Sequence, residues 1–331
     1  MAKGIAMKNR ILITTAALFA PLTHAALNEA AGFSGEISLI TGFGASESHF
    51  NTDGNATINS DKQAPSSESA VLFAPLGNIA YTFGDQLEHQ VYLGTAREDI
   101  AVGTLAFELG YQYQLNSGVV IDFSLLPTVM SGETWQDPYL LNQKRTVTDE
   151  SGIAYRLQFH NLWGGNVNLD TAYGTKELDK DTITDPSLKR DGESYYAKLD
   201  YRYRLKPTSF VQPAVVYLKH QADGKAASYD SLGAEVSWFN LFAKHRLVLT
   251  AGYKVQDYQA ASQRFGKTRE DQQLSLFLAY EYAQLFSSPD WSFVALAGYN
   301  QTDSNIKFYE QSDYLLSVGV NYKFQLIATA V

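Results

Sequence analysis

The sequence predicts an all-β fold, a transmembrane up-and-down antiparallel β-barrel of about 14 strands, with about 12 or about 16 strands as the alternatives. Three observations favour this fold. Apolar and polar residues alternate with a period of two along nearly the whole chain. Short turns alternate with long polar loops, and aromatic residues gather in two bands on either side of an aliphatic one. The body of the chain has no run of about 18 apolar residues, which excludes a membrane-spanning helix there.

The amino-acid composition excludes several classes of function. The chain has 331 residues, of which 45% are hydrophobic and 18% are charged. It has no cysteine, which excludes disulfide frameworks, thiolate metal sites and cysteine nucleophiles. Its formal net charge of −9 argues against a nucleic-acid-binding protein. The function therefore depends on how the other polar side chains are distributed along the strands.

The N-terminal segment has the pattern of an export signal. Lys8 and Arg10 precede a short apolar run, and a small-x-Ala pattern ends at Ala25. This arrangement is typical of a cleavable secretory signal peptide. We therefore expect residues 1–25 to direct export through the Sec pathway, and residues 26–331 to form a single barrel domain.

Alternating segments follow one another along the rest of the chain. Residues 195–205 are an example, because the odd positions are Tyr, Ala, Leu, Tyr, Tyr and Leu while the even positions are mostly charged. Successive side chains of a strand point to opposite faces, so this pattern predicts one apolar and one polar face. In order, the predicted strands are 33–44, 70–84, 89–96, 102–115, 119–130, 151–161, 167–175, 194–205, 210–219, 231–240, 246–256, 272–283, 291–300 and 313–324.

Two of these segments decide the strand number. Pro75 and Gly77 interrupt the second segment, and the third is short. A different assignment of these two gives the alternatives of about 12 or about 16 strands. An even number places both chain ends on the same side of the membrane, and 14 satisfies this condition.

The connections fall into two classes. The short ones are rich in Gly, Asn, Asp and Pro, which supply the backbone angles of tight hairpins. They lie near residues 84–86, 116–118, 164–166, 206–208, 240–245 and 287–290. The long polar ones cover residues 45–69, 131–150, 176–193, 220–230, 257–271 and 301–312, with 97–101 as a short exception. Strict alternation of the two classes is expected of a meander whose two ends face different environments.

Aromatic residues indicate what surrounds the barrel. Two bands of rings that bound an aliphatic zone are typical of a bilayer, since amphipathic rings settle at both water–lipid interfaces. The band near the short turns includes Phe83, Tyr111, Tyr113, Tyr201, Tyr203, Trp291 and Tyr322, and the band near the long loops includes Phe43, Tyr173, Tyr195, Tyr217, Tyr253 and Tyr299.

The last predicted strand carries a further signal. Its alternate residues are Leu316, Val318, Val320, Tyr322 and Phe324. With the features above, the chain resembles a Gram-negative outer-membrane β-barrel over residues 33–324, and the resemblance includes this last strand. The chain is most similar to an uncharacterised outer-membrane family defined as a domain of unknown function, which carries no functional residues with it.

The resemblance also implies a location and partners. It implies residence in the outer membrane, contact with outer-membrane lipid and lipopolysaccharide, and folding by periplasmic chaperones and the barrel-assembly machinery. Tyr322 and Phe324 are the expected assembly signal. That signal normally ends the chain, whereas Gln325 to Val331 follow it here.

The face opposite the apolar one is rich in charge. Charges that would otherwise meet lipid need water or partners, which predicts a wet interior. The candidate lumen-lining residues are Arg156, Lys198, Arg202, Arg204, Glu108, Asp122, Asp170, Asp200, Glu235, Lys254 and Glu281, together with Glu36 and Lys323. One hypothesis is a basic wall formed by the arginines and Lys198, with acids beside it, that orients a polar solute. The alternative is a structural lattice of ion pairs.

The sequence favours a channel over an enzyme. It contains no Gly-x-Ser-x-Gly, no metal-spaced histidine pair and no phosphate-binding loop, so we expect no catalytic residue, cofactor or metal. Passive diffusion of small polar solutes is the predicted function, with a saccharide or anion preference left open. A plugged barrel that acts as a surface receptor or adhesin, and a lipid-modifying enzyme, are the alternatives. The aromatic bands favour a monomer.

Overall fold

A computed structural model describes residues 27–95, 107–127 and 132–327 of this chain. It contains an antiparallel sheet of 17 strands. The strands are β1 (Gly32–Glu47), β2 (Ser67–Phe83), β3 (His89–Thr95), β4 (Phe107–Gln114), β5 (Val120–Pro127), β6 (Gly132–Trp135), β7 (Val147–Ser151), β8 (Ile153–Asn161), β9 (Val167–Leu178), β10 (Gly192–Tyr201), β11 (Tyr203–Lys206), β12 (Ser209–Ala222), β13 (Tyr229–Phe242), β14 (His245–Ala261), β15 (Thr268–Ala283), β16 (Trp291–Ser304) and β17 (Gln311–Ile327). Single helical turns occupy Leu162–Gly165, Pro186–Leu188, Leu285–Ser287 and Lys307–Tyr309.

The barrel itself has 14 strands. β10 and β11 are two parts of one barrel strand that is interrupted at Arg202, and both pair with β12. β6 and β7 form a hairpin beside the barrel, since β5 pairs directly with β8. Each predicted segment corresponds to one barrel strand, so the predicted strand number is confirmed. Parts of the fourth and fifth segments, the 97–101 connection, the proposed signal peptide and residues 328–331 lie outside the described residues.

The barrel closes between its first and last strands. β1 pairs with β2 on one side and with β17 on the other, in register from Gly32 opposite Ile327 to Glu47 opposite Ser312. This seam runs the full 16 residues of β1. A closed ring leaves no edge strand with unpaired backbone groups, as a sheet surrounded by hydrocarbon requires.

Several strands are longer than the period-two alternation predicts, and their extra residues lie in the predicted long loops. β14 continues to Ala261, beyond the predicted end at residue 256, and the 131–150 segment contains the β6–β7 hairpin. The hairpin has no continuous apolar face, because Glu133 lies opposite Asp149 and only its end pair, Trp135 opposite Val147, is apolar. Backbone pairing continues there without a sustained apolar face, so period-two alternation gives no signal for it.

The outer face of the barrel is apolar and exposed. Val215, Leu232 and Leu316 are 57%, 57% and 62% exposed, which is unusual for side chains at the centres of long strands. Rings pack against each other in both predicted bands: the Trp291 and Tyr322 centroids lie 4.9 Å apart near the short turns, and those of Tyr173 and Tyr195 lie 5.4 Å apart near the long loops. In the described part of the chain, none of the helices has the length and apolar character needed to cross a membrane.

Candidate functional site

The inward face of the barrel carries the predicted polar residues. Glu108, Asp122, Arg156, Asp170, Asp200 and Glu281 are buried there, and Lys198, Arg202, Glu235 and Lys254 are partly buried. Arg204 is exposed in β11, near the short-turn end. That these side chains line an open lumen stays a prediction.

One wall of the lumen holds a continuous ion-pair network centred on Arg156. Its guanidinium donates to both carboxylate oxygens of Asp170, at 3.0 and 2.8 Å, and lies 3.6 Å from Oε2 of Glu108. Ser124 donates to the same Glu108 oxygen at 2.8 Å. Because β4, β5, β8 and β9 each contribute a residue, the network ties four neighbouring strands together. The sequence-predicted cation is thus fully engaged with acids.

Asp122 lies beside this network. It accepts hydrogen bonds from the Tyr92 hydroxyl and the Gln112 amide, both at 2.8 Å. The Tyr92 ring lies against Gly110, where any added Cβ would collide with it. Glycine at position 110 therefore lets the ring reach across β4 to a carboxylate on β5.

Other predicted lumen residues are also paired. Lys198 donates to Glu235 at 2.5 Å, and Asp200 accepts from Asn168 and Gln212 at 2.8 Å each. Glu281 pairs with Arg246 at 2.9 Å and lies 3.7 Å from Lys323.

The sequence reasoning missed Arg246, although it has the same parity as Lys254 in β14 and that signal identifies it. The geometry is that of an ion-pair lattice, and a transport role for the basic wall stays a prediction.

Arg202 and Arg204 lie at the short-turn end of the barrel. The Arg202 guanidinium is 5.2 Å above the ring of Phe210, which stacks on Phe239 with centroids 4.3 Å apart. An aromatic face attracts a cation through its ring quadrupole. These two arginines are the basic residues of the predicted wall that lie nearest the short turns.

The predicted assembly residues are part of the seam. Tyr322 lies opposite Ile37 and packs on Trp291, and Phe324 lies opposite Gly35 with its ring over that glycine. Their role in recognition by assembly machinery stays a prediction.

The long loops form a packed layer that the sequence did not predict, and we call it the cap. It comprises residues 48–66, 136–146, 179–191, 223–228, 262–267 and 305–310. Its buried core is Ile58, Tyr139, Ile183, Leu188, Ala226, Ile306, Phe308 and Tyr309, with Phe50, Leu141 and Phe265 packed against them. These loops leave the barrel rim all the way round the ring of strands. They share one core only because they lean inward and meet over the mouth.

Arg145 joins two of the cap loops. It is 3% exposed and donates to the backbone carbonyls of His49, Asn55 and Pro138 at 2.6, 2.5 and 3.2 Å. Its guanidinium also lies 4.3 Å above the ring of Trp135. Burial lowers the pKa of Arg145 to about 10, so the group is charged at neutral pH.

Two further arginines hold other loops to the cap. Arg190 binds Asp181 at 3.2 Å and donates to the Trp135 carbonyl at 2.8 Å, which joins the loop after β9 to the loop after β5. Arg264 binds Asp61 at 2.5 Å, which joins the loop after β14 to the loop after β1. Short apolar clusters within otherwise polar loops, such as Tyr139 to Leu141, are the sequence signal for this arrangement.

We expect the cap to loosen as the pH falls, because of His49. Its ring is 3% exposed and stacks on Phe308 at 4.6 Å, with Nε2 2.9 Å from the Gln63 carbonyl. Burial lowers the pKa of His49; the Gln63 carbonyl and Asp61 act in the opposite direction, and Arg145 acts with burial.

The packed cap therefore binds fewer protons than the open loops. Stability from His49 is present above the ordinary histidine pKa of about 6.5 and is lost as the pH falls below it. Protease cleavage of the loops, followed from pH 7.5 to 5, should accelerate for the native chain. His49→Phe keeps the stacking but removes the titration, so an equally steep acceleration in that variant would contradict this assignment.

The described residues contain no group of three or more metal-ligating side chains that could hold an ion. The arrangement as a whole is a closed ring with a charged interior, an apolar exterior and a covered mouth. The charged residues of the interior are arranged as ion pairs and hydrogen-bonded carboxylates.

The model of one protein family, described as protein of unknown function (DUF2860), matches residues 32–323, and the chain belongs to that family. No curated protein matches the chain. Among solved structures, it is similar to a loop L8 deletion mutant of OmpT, an outer membrane protein of Vibrio cholerae, at 13% identity and a TM-score of 0.43, over 89% of this chain and 100% of that one.

Two further solved structures have similar barrels. The anion-selective porin from Comamonas acidovorans has 8% identity and a TM-score of 0.42, over 89% of this chain and 100% of that one. Pseudomonas aeruginosa OpdQ has 12% identity and a TM-score of 0.36, over 88% and 98%.

Proposed function

We propose that this DUF2860 protein is an outer-membrane channel through which small polar solutes diffuse passively. The observation that carries the proposal is the contrast between the two faces of one closed barrel. The outer face exposes aliphatic side chains such as Leu232 and Leu316, whereas the inner face carries the ion pairs of Arg156, Lys198 and Glu281. An apolar girdle fits a bilayer, and charges inside it fit water and polar solutes.

The location follows from the same features. In this proposal the long loops and the cap face outward, the short turns face the periplasm, and lipid with lipopolysaccharide surrounds the girdle. Export through the Sec pathway by residues 1–25, chaperone escort, and insertion by the barrel-assembly machinery at Tyr322 and Phe324 belong to the same proposal, as does a monomeric state.

The cap favours a second candidate function, that of a plugged barrel used as a surface receptor or adhesin. Six loops that share one core present a firm surface at the mouth of the barrel. In the channel proposal the same layer controls entry. The two candidates differ in whether ions cross the protein at all.

Single-channel recording in planar bilayers tests the proposal. The native chain and an Arg145→Met variant, which weakens the cap, are compared as folded, heat-modifiable barrels. Discrete conductance steps in the native chain, or in the variant alone, support a channel. Silence from both barrels contradicts the channel and favours the receptor. Liposome swelling with sugars and organic acids of graded size then separates a saccharide preference from an anion preference.

Arg202 and Arg204 give a separate prediction about selectivity. Replacing both by glutamine removes two positive charges near the short-turn end, and the interior then retains its acids. We expect the reversal potential in a salt gradient to shift towards cation selectivity. The matched control is Lys180→Gln with Lys225→Gln, which removes the same charge from exposed cap residues. An equal shift in both double variants would show that the wall itself has no special role.

A further inference from the structure

Two clusters with the same construction lie on the outer face at the short-turn end, and we call them the histidine stations. The first is built around His89, the first residue of β3. The imidazole stacks on Phe83 at 5.1 Å and on Tyr113 at 5.0 Å, with interplanar angles of 20° and 25°. Its Nδ1 is 2.7 Å from the Tyr111 hydroxyl. The rings thus fix both the plane and the rotation of the imidazole.

The second station repeats this arrangement around His245, the first residue of β14. Here the imidazole packs against Phe242 at 5.0 Å and Tyr282 at 5.2 Å, and Nδ1 is 2.7 Å from the Tyr280 hydroxyl. In both stations the phenylalanine pairs with the histidine across the turn, and the two tyrosines come from the next strand.

Both stations face the same surroundings as the apolar girdle. Val91 and Leu93, which follow His89 on the same face of β3, are 42% and 41% exposed, and Leu249 follows His245 on the same face of β14. In the ring of 14 barrel strands, β3 and β14 are eight positions apart in one direction and six in the other. The stations therefore lie on nearly opposite sides of the barrel, at one end of the girdle.

Each ring has a second nitrogen, Nε2, that its tyrosine hydroxyl does not contact. When the tyrosine hydroxyl donates to Nδ1, the hydrogen of the neutral ring is on Nε2, and a protonated ring also carries one there. Nε2 is then an N–H donor in an aromatic rim. At the depth where an apolar girdle ends, the acceptors available in a bilayer are the headgroup phosphates, and hydrogen bonds to charged oxygens are the strong ones.

We propose that each station binds the phosphodiester group of a phospholipid in the periplasmic leaflet. The inference rests on the membrane placement proposed above. It assigns lipid-binding sites that ion conduction does not require. It makes these two histidines lipid-binding residues, distinct from the aromatic residues that surround them.

The charged residue that precedes each histidine determines which lipid headgroup the station binds. Oε1 of Glu88 lies 3.6 Å from Nε2 of His89, so a headgroup that carries an ammonium group beside its phosphate matches the first station. Exposed Lys244 precedes His245, so an anionic headgroup without an ammonium matches the second. The expected occupants are phosphatidylethanolamine at the first station and phosphatidylglycerol at the second.

Native mass spectrometry of the full barrel tests this inference. The protein is released from detergent in the presence of phosphatidylethanolamine, phosphatidylglycerol or inorganic phosphate alone. The native chain should retain one molecule of each lipid. His89→Phe should lose the first and His245→Phe the second, and both variants keep the aromatic stacking. Trp291→Phe is the control, because it changes the same aromatic band without touching a station.

Two outcomes overturn the inference. One is that the His89→Phe, His245→Phe double variant retains as much lipid as the native chain. The other is that the protein binds inorganic phosphate but no lipid. If a histidine variant fails to fold, Tyr111→Phe and Tyr280→Phe remove only the hydroxyls that orient the rings, and loss of the matching lipid is expected from each. Conductance is recorded on the same preparations. A barrel that conducts without retaining lipid contradicts only the stations, and one that retains lipid without conducting contradicts only the channel.

Discussion

Replacing Arg145 by methionine is expected to release the cap while the barrel stays folded. The substitution removes a guanidinium that donates to four backbone carbonyls of the cap, those of His49, Asn55, Ala56 and Pro138, and methionine cannot replace these bonds. Buried acceptors that lose their donors cost about 1–3 kcal/mol each, so the cap should lose about 3 kcal/mol or more. The barrel depends on strand pairing elsewhere, which this change does not touch.

Protease cleavage within residues 48–66 and 136–146 measures the release, and heat-modifiable migration shows that the barrel persists. We expect cleavage to accelerate by about 100-fold, the ratio that about 3 kcal/mol implies for an opening equilibrium. Lys144→Met is the matched control, since Lys144 is the exposed neighbour of Arg145. Equal cleavage rates in the two variants would show that Arg145 does not hold the loops together.

Replacing Arg156 by methionine should destabilise the barrel wall. Asp170 and Glu108 are 9% and 1% exposed, and this change leaves both without their cation. Removing one partner of a buried ion pair costs about 3–5 kcal/mol, because the remaining charge stays buried without compensation. The expected result is a clear fall in the denaturant midpoint of unfolding in lipid vesicles, with an intermediate value for Arg156→Lys, which cannot form the bidentate contact.

The matched control for this prediction is Lys176→Met. Lys176 pairs with Glu150 at 2.7 Å, but both side chains are about one-third exposed. Exposed ion pairs contribute about 0–1 kcal/mol, so the midpoint should barely move. Similar midpoints for the Arg156 and Lys176 variants would mean that lumen water compensates the acids of the wall.

Much of the barrel follows from local sequence. Alternation such as that of residues 195–205 identifies both the strand and the inward position of Lys198 and Asp200, because parity is a property of the backbone. Tight-turn residues fix where strands end. The pairing of β1 with β17 also follows, since a sheet in hydrocarbon has to close.

The rest depends on contacts between distant segments. Which acid binds Arg156 is set by the register between β8 and β9, which alternation does not specify. The cap is harder still to predict from the sequence, because the few apolar residues of each loop, such as Phe50, Tyr139 and Phe308, form a core only when the loops meet. To predict a histidine station, two strand registers have to be known at once, because each station takes residues from three neighbouring strands.

The seam between β1 and β17 also constrains how the protein is made. β1 pairs with β2 on one side, but its other side pairs with β17, from Gly32 opposite Ile327 to Glu47 opposite Ser312, so the first strand stays half-paired while the end of the polypeptide is still being synthesised. Contacts between such remote segments form slowly, and unpaired strands aggregate in the meantime. The barrel can therefore close only after β17 has been translated, which makes complete co-translational folding of the ring unavailable to this protein.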